Sequence, residues 1–309
     1  MGFDLNMCSM IKEAADALVR TGIKFSENEL MSGHTSFKIG GAADVFVCPE
    51  NVMQITRAVE IAKKYELPFT VIGNGSNVLV SDLGIEGMVI CLERMNGFET
   101  DGCSVIAESG ALLSKVAMLC ARNSLTGMEF AAGIPGSVGG AVYMNAGAYG
   151  GEMKNIVKSI TALHNDKIEV FLTEKCDFKY RHSIFSDGGY IILSVEFELK
   201  NGNENEIRAQ MKELAMRRRE KQPLEYPSAG STFKRPEGNF AGTLIQQAGL
   251  KGYSVGGAQV SEKHAGFVIN KGGATCADVL SLIEHIKAEV FRISGVALEE
   301  EVRVVGKKA

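Results

Sequence analysis

The sequence predicts a chain of mixed α and β structure folded as two or three domains. Its 309 residues are more than a single hydrophobic core usually organises. Between residues 43 and 72 a strand, an amphipathic helix and a second strand follow one another, the pattern of parallel strands joined by a helix. Later, strand patterns at 156–164, 168–172 and 190–199 lead into a charged helix over 201–222. Composition then shifts to the Pro/Gly/Ser-rich run PLEYPSAGSTFKRPEGN, which predicts a domain boundary near 219–224.

Taken in order, residues 9–21 read as a helix with Leu18 and Val19 on its apolar face and Gly22 closing it. Ala43 to Cys48 alternates as a strand, between Gly40-Gly41 and Pro49. Over 51–65, Val52, Ile55, Val59 and Ala62 share one helical stripe, and Lys63-Lys64 suit its C-terminal end. PFTVIG is a buried strand that runs into Gly73-Asn74-Gly75-Ser76-Asn77. This turn lies at the carboxyl end of a strand, where α/β sheets place ligands. Position 78 is Val, so it is not a dinucleotide fingerprint. Its N–H groups and polar side chains suit a phosphate, although Asn-Gly also favours a plain turn. VLVSDLGIEGMVICL reads as strand, turn, strand, and 112–123 as a helix. Helices at 240–249 and 275–294, a strand at 266–270 and a last strand from Glu301 to Val305 complete the chain. Val279, Leu282, Ile283, Ile286 and Val290 face one way along the 275–294 helix, with Thr275 as its cap and Gly295 as its stop.

The stretch from Gly127 to Gly151 stands apart: eight of its 25 residues are glycine and apolar residues lie between them. It lacks the polar character of a linker, and its glycines argue against an ordinary helix. The residues predict backbone packed closely against something, either an anion nest or tight turns in a core.

Apolar content of 45% and charged content of 23% are those of a soluble globular protein. A net charge of −4 gives no support for a nucleic-acid surface, and Arg217-Arg218-Arg219 reads as a solvated helix face. Seven cysteines, without a CxxC, argue against a disulfide framework or a zinc site and fit a reducing cytoplasm. The N-terminus reads as an amphipathic helix with early acidic residues, not a signal peptide, and no apolar run is long enough to span a bilayer.

Four ordered stretches, HTSFKIGGAADVFVCP, IGNGSNVLVSDLGIEGMVI, GMEFAAGIPGSVGGAVYMNAGAYGGE and AGSTFKRPEGNFAGTLIQQAGLKG, closed by LEEEVRVVG, together resemble the UDP-N-acetylenolpyruvoylglucosamine reductases. The resemblance runs from about His34 to Gly306. It implies an α+β protein: an FAD-binding fold of the vanillyl-alcohol-oxidase type, with subdomains over 1–83 and 84–220. A C-terminal α+β substrate domain over 221–300 and a strand over 301–309 returning to the active site would follow. The run from Phe233 to Lys263 is too short for the extra tyrosine loop of one family type, so the chain resembles the shorter type.

The implied activity is cytoplasmic reduction of UDP-N-acetylglucosamine enolpyruvate to UDP-N-acetylmuramate, in peptidoglycan precursor synthesis. FAD would be bound noncovalently, NADPH would be co-substrate, and the protein would act as a monomer without nucleic-acid partners or membrane insertion. Hydride reaches C3 of the enol ether and a proton reaches C2, so negative charge builds on C2 and the carboxylate and needs fixed donors. By motif, Ser231 resembles the proton donor, Arg181 the enolate-stabilising arginine and Glu301 the family glutamate. A charged Glu301 would repel the enolate, which implies a protonated or an arginine-orienting carboxyl. Tyr180, Lys221 and Arg235 match positions on the substrate side. Gly73, Asn74, Gly75, Ser76 and Asn77 would hold the flavin pyrophosphate, and Ile134, Pro135, Gly136, Gly140 and Ala141 would approach the rest of the cofactor. His264 reads as structural, and His34 lies where some relatives of this fold attach flavin covalently. Two other readings share the fold: an oxidase of alcohols or lactones, and a non-catalytic nucleotide sensor.

Overall fold

The computed structural model describes residues 2–307, with side chains described from residue 7. Residues 1, 308 and 309, at the ends of the expected 1–83 and 301–309 segments, lie outside the described residues, as does the side chain of Asp4 in the acidic first turn. The backbone divides into two compact units, both discontinuous in sequence. The first comprises Met1–Ser26, Val45–Asn74 and Gly87–Arg218; the second comprises Glu27–Asp44, Gly75–Glu86 and Arg219–Ala309.

The first unit holds two hydrophobic clusters. One gathers Leu18, Val45, Ile55, Val59, Met88 and Ile90 around the Val52–Lys64 helix. Asn51 caps that helix by accepting the Gln54 N–H at 2.9 Å. The adjoining sheet has the strand order Lys24–Leu30, Ala42–Cys48, Ile85–Cys91, Phe69–Ile72. The expected strand-helix-strand unit is therefore present with another strand inserted: Phe69–Ile72 pairs parallel to Met88–Cys91, not to Ala42–Cys48. Lys24–Leu30 was not expected, because a strand written KFSENEL carries no apolar alternation.

The other cluster lies between the Leu113–Arg122 helix and a five-stranded antiparallel sheet. That sheet runs Lys167–Leu172, Val157–His164, Tyr190–Glu198, Ser104–Glu108, Phe98–Asp101. The turn between its first two strands puts Asn165 at φ +47° and Asp166 at φ +63°, the conformation of a tight hairpin. The Phe98–Asp101 and Ser104–Glu108 pair is joined through the two-residue loop Gly102-Cys103, with Gly102 at φ +57°.

The glycine-rich stretch corrects the expectation that it avoids helix. Val138–Tyr143 is a short helix whose cap, Ser137, accepts the Gly140 N–H at 3.4 Å. The reason is packing. A Cβ on Gly139 would stand 2.7 Å from the Ser109 Cβ, so the helix approaches its neighbour only because this residue has no side chain.

The second unit is built on the Cys276–Ser294 helix. Val279, Leu282, Ile283, Ile286 and Val290 pack on Phe37, Leu79, Ile245 and Val260. Thr275 and Asp278 form a capping box, and Gly295 closes the helix at φ +70°. Asp82 adds what the sequence did not show: its carboxylate accepts the N–H groups of Cys276 at 2.7 Å and Ala277 at 2.9 Å. The expected 240–249 helix spans Ala241–Gln247, and the 266–270 strand is Val268–Asn270. The C-terminal strand is Arg303–Val305, leaving Glu301 just before it. It pairs parallel to Val78–Val80, directly after the polar glycine turn.

Candidate active site

In the second unit the structure brings Ser231 and Glu301 onto adjoining segments. The carbonyl of Thr232 accepts the Glu301 N–H at 2.8 Å and the Val302 N–H at 3.4 Å. Thr232 is buried, donates its own N–H to the Gly266 carbonyl at 2.9 Å, and accepts the Val268 N–H on its hydroxyl at 3.0 Å. Ser231, half-buried, is thus set by the neighbour that aligns Glu301. Asn77 joins the same assembly: its amide donates to the Glu301 carbonyl at 3.1 Å, and its carbonyl accepts the Arg303 N–H at 3.0 Å.

The rest of the polar turn is fixed equally tightly. Gly75 has φ +58°, and a Cβ there would fall 2.0 Å from the His34 carbonyl oxygen. Its own carbonyl accepts the Ser36 N–H at 3.1 Å. His34 meets Glu29 through Nε2 at 2.9 Å. Burial pushes the His264 imidazole below its usual pKa, and its Nδ1 accepts the Gly266 N–H at 3.1 Å. His264 thereby shapes the turn whose Gly266 carbonyl holds Thr232.

Carboxylates near Glu301 are paired with lysines. Lys234 meets Glu299 at 3.1 Å and Lys287 meets Glu300 at 2.8 Å. Burial would raise the Glu300 carboxyl, but the Lys287 ammonium holds it below the ordinary carboxylate range. Arg235 is exposed, with its guanidinium 4.0 Å from the Phe240 ring centroid, a cation–π stack. Lys221 is the exposed last residue of the Glu204–Lys221 helix.

In the first unit, Gly73 and Asn74 lie against the glycine-rich stretch. The Asn74 amide donates to the Pro135 carbonyl at 2.9 Å, and a Cβ on Gly73 would stand 2.2 Å from the Ser137 hydroxyl. Gly73 and Asn74 thus lie beside Pro135 and Ser137, and Ser137 caps the helix that carries Gly140, so these residues form one wall in this unit. Gly136 is fixed by its carbonyl, which accepts the Leu113 N–H at 3.1 Å. Ile134 is half-buried and Ala141 packs into the core beneath the wall. Arg218 corrects the reading of the arginine run as a solvated face. Arg217 does pair with Glu213 on the surface, but Arg218 turns inward, its guanidinium 3.2 Å from where a Gly133 Cβ would lie. Burial pulls the Arg218 pKa down, and Tyr149 opposes the shift.

Arg181 and Tyr180 also belong to the first unit. They form the tip of a tight turn in which Lys179 and His182 exchange both backbone bonds, at 3.1 and 3.2 Å. Arg181 has φ +55°, a conformation that such a turn position usually gives to Gly or Asn. Its guanidinium lies 5.0 Å from the exposed Tyr180 ring. The carboxyl of Glu152 is held low first by Lys154, at 2.9 Å, and in smaller part by Asn145 and Arg181.

A wall of close-packed glycines and backbone carbonyls fits a large planar cofactor, and the Gly75 turn has the tight shape that a phosphate needs. These features define a flavin-binding α+β protein with an added C-terminal domain. Residues 43–166 match the model of an FAD binding domain, and residues 222–305 match the C-terminal domain of UDP-N-acetylenolpyruvoylglucosamine reductase. The reductase of that name from Clostridium novyi is 50% identical over 287 residues, covering 93% of this chain and 94% of the relative. That from Caldanaerobacter subterraneus subsp. tengcongensis is 47% identical over 303 residues, covering 98% and 100%. The crystal structure of the Thermus caldophilus reductase superposes with a TM-score of 0.81 at 35% identity, covering 92% of this chain and 99% of that one. The chain belongs to the UDP-N-acetylenolpyruvoylglucosamine reductase family, and with its FAD-binding domain it is an FAD-dependent oxidoreductase. Among the described residues no helix is long and apolar enough to cross a membrane.

Proposed function

We propose that the protein reduces the enolpyruvyl ether of UDP-N-acetylglucosamine to the lactyl ether of UDP-N-acetylmuramate, for peptidoglycan precursor synthesis, with NADPH as reductant. The observation that carries this is the joint placement of Ser231, Glu301 and Asn77, three motifs from distant parts of the chain tied by the Thr232 and Glu301 backbones. FAD would supply the hydride chemistry that links NADPH to C3 of the enol ether. Gly73, Asn74, Gly75, Ser76 and Asn77 would hold its pyrophosphate, and Ile134, Pro135, Gly136, Gly140 and Ala141 would approach its ring and adenosine portions.

The protein's own residues handle charge and proton. Arg181 is always charged and suits the carboxylate on which the enolate charge gathers. The Ser231 hydroxyl delivers the proton to C2. A free serine is a weak acid, so this transfer depends on the fixed groups around it. Glu301 assists as a neutral carboxylic acid or by orienting the charged assembly. Tyr180, Lys221 and Arg235 serve the UDP-sugar, Lys221 as a point charge and Arg235 as a fork for the diphosphate. The proposed division is two flavin subdomains over 1–83 and 84–220 and a substrate domain over 221–300 with 301–309 returning. The hydrophobic clusters cross the 83/84 bound, since Met88, Ile90, Leu163 and Ile191 pack with Leu18 and Ile55. The 27–44 and 75–86 segments pack with the substrate domain's core.

The test is anaerobic reduction of the flavoprotein by NADPH followed by addition of the enolpyruvyl UDP-sugar. Rapid reoxidation with formation of the lactyl ether is expected. Reoxidation by oxygen alone, with no turnover of the UDP-sugar, would favour the oxidase reading instead.

A further inference from the structure

We propose that Asn145 is a positioning residue for the reaction, holding the turn that presents Arg181. The inference rests on the reading of Arg181 as the cation facing the substrate carboxylate. Asn145 lies inside the glycine-rich stretch, is 1% exposed, and has φ +43°. A buried amide in that backbone conformation is costly unless each polar atom is used. Here each is used. The amide nitrogen donates to the Lys179 carbonyl at 2.9 Å and to Glu152 Oε2 at 3.1 Å, and Oδ1 accepts the Lys154 N–H at 3.0 Å.

Lys179 is the first residue of the turn that has Arg181 at its tip. Asn145 therefore pins one limb of the turn. The other limb is pinned from the same stretch: Ser183 is fully buried, and its hydroxyl donates to the Tyr143 carbonyl at 2.7 Å. Tyr143 ends the Val138–Tyr143 helix, and Ser137, beside Gly73, begins it. One short helix thus joins the flavin wall to the Arg181 turn. Gly139 lets the helix pack on Ser109, Gly140 lies on the side of the flavin wall, and the C-terminal end sets the place of the Arg181 turn. Glu152, on the second Asn145 bond, pairs first with Lys154 and feels Arg181 more weakly.

Displacing a positioned group by about 1 Å costs up to about 100-fold in a step that depends on it. The Asn145→Ala holoenzyme should keep its flavin spectrum and its rate of reduction by NADPH, within about twofold. Its rate of reoxidation by the enolpyruvyl UDP-sugar should fall about 10- to 100-fold. In an Arg181→Ala background, Asn145→Ala should cost nothing further in that step. Ser183→Ala, which loosens the other limb, should show the same split and carries the test if Asn145→Ala does not fold. Equal losses in both half-reactions, or no loss in either, would overturn the proposal. An Arg181→Ala enzyme that reoxidises at the normal rate would instead overturn the reading of Arg181 on which it rests.

Discussion

The backbone of Arg181 offers a direct test of why an arginine stands there. At φ +55° a residue with a Cβ costs about 1–2 kcal/mol relative to one that adopts this region freely. Arg181→Gly and Arg181→Ala both remove the guanidinium, its stack on Tyr180 and its pull on Glu152, so those losses cancel between them. What differs is the backbone. Alanine keeps the strain, whereas glycine relieves it and gives back about 0.5–1 kcal/mol through the freedom of its unfolded chain. Arg181→Gly should therefore be more stable than Arg181→Ala by about 0.75 kcal/mol at the middle of those ranges. Urea unfolding followed by circular dichroism measures the difference. Both variants should lose reoxidation by the UDP-sugar to a similar degree. If Arg181→Ala were equally stable or more so, the turn would not be strained, and the argument that stability is given up here to display a charge would fail.

Two glycines one residue apart should separate fold from cofactor. Gly139→Ala meets the Ser109 Cβ at 2.7 Å and should cost about 1–3 kcal/mol of stability, read by thermal unfolding. Gly140→Ala meets only the Ser137 hydroxyl, at 3.3 Å, so it should fold normally and weaken FAD binding to the apoprotein; an unchanged Kd for FAD would refute the close-approach role. Glu301→Gln should keep much more of the reoxidation rate than Glu301→Ala, because an amide mimics a neutral carboxylic acid; equal losses would remove that role. Asp278 is held low chiefly by the Thr275 and Gly257 N–H groups. A carboxyl depressed in the folded state contributes stability above its unfolded pKa, about 4, and loses it as pH falls through the lower folded value. Asp278→Asn should flatten the acid limb of the stability profile, and a limb identical to the parent's would show that the capping box does not contribute to it.

Local rules made much of the second unit legible. The stripe of Val279, Leu282, Ile283, Ile286 and Val290, the Thr275 cap and the Gly295 stop were all readable, because each depends on residues within one helix or at its ends. Strands with no apolar alternation were not readable: in Lys24–Leu30 only Phe25 packs on the core, and the residues between it and Leu30 are polar. Long-range partners were not readable either. Asp82 caps the start of a helix that begins 194 residues later, and nothing local in SDLG announces it. Cys48, Cys91 and Glu93 bring one ligand-capable atom each within 4.8 Å, because neighbouring strands end together, a grouping that spacing along the chain does not show.

The site divides along the same line. Its members were found through motif resemblance, and Ser231, Glu301 and Asn77 are joined by backbone bonds that involve no distinctive side chain. A carbonyl such as that of Thr232 accepts equally well whatever residue carries it, so sequence patterns are blind to it. Asn145 is the exception, because its own residue type carries a signal. Within a run of glycine and small apolar residues, an asparagine destined for a core is costly unless its amide is fully bonded. That cost alone argues that something distant must bond to it. The structure identifies the distant partner as the Lys179 carbonyl, at the base of the Arg181 turn. The glycines of this stretch bring backbone close to the cofactor wall, and its single buried amide connects that wall to the charge on which the reading of the reaction depends.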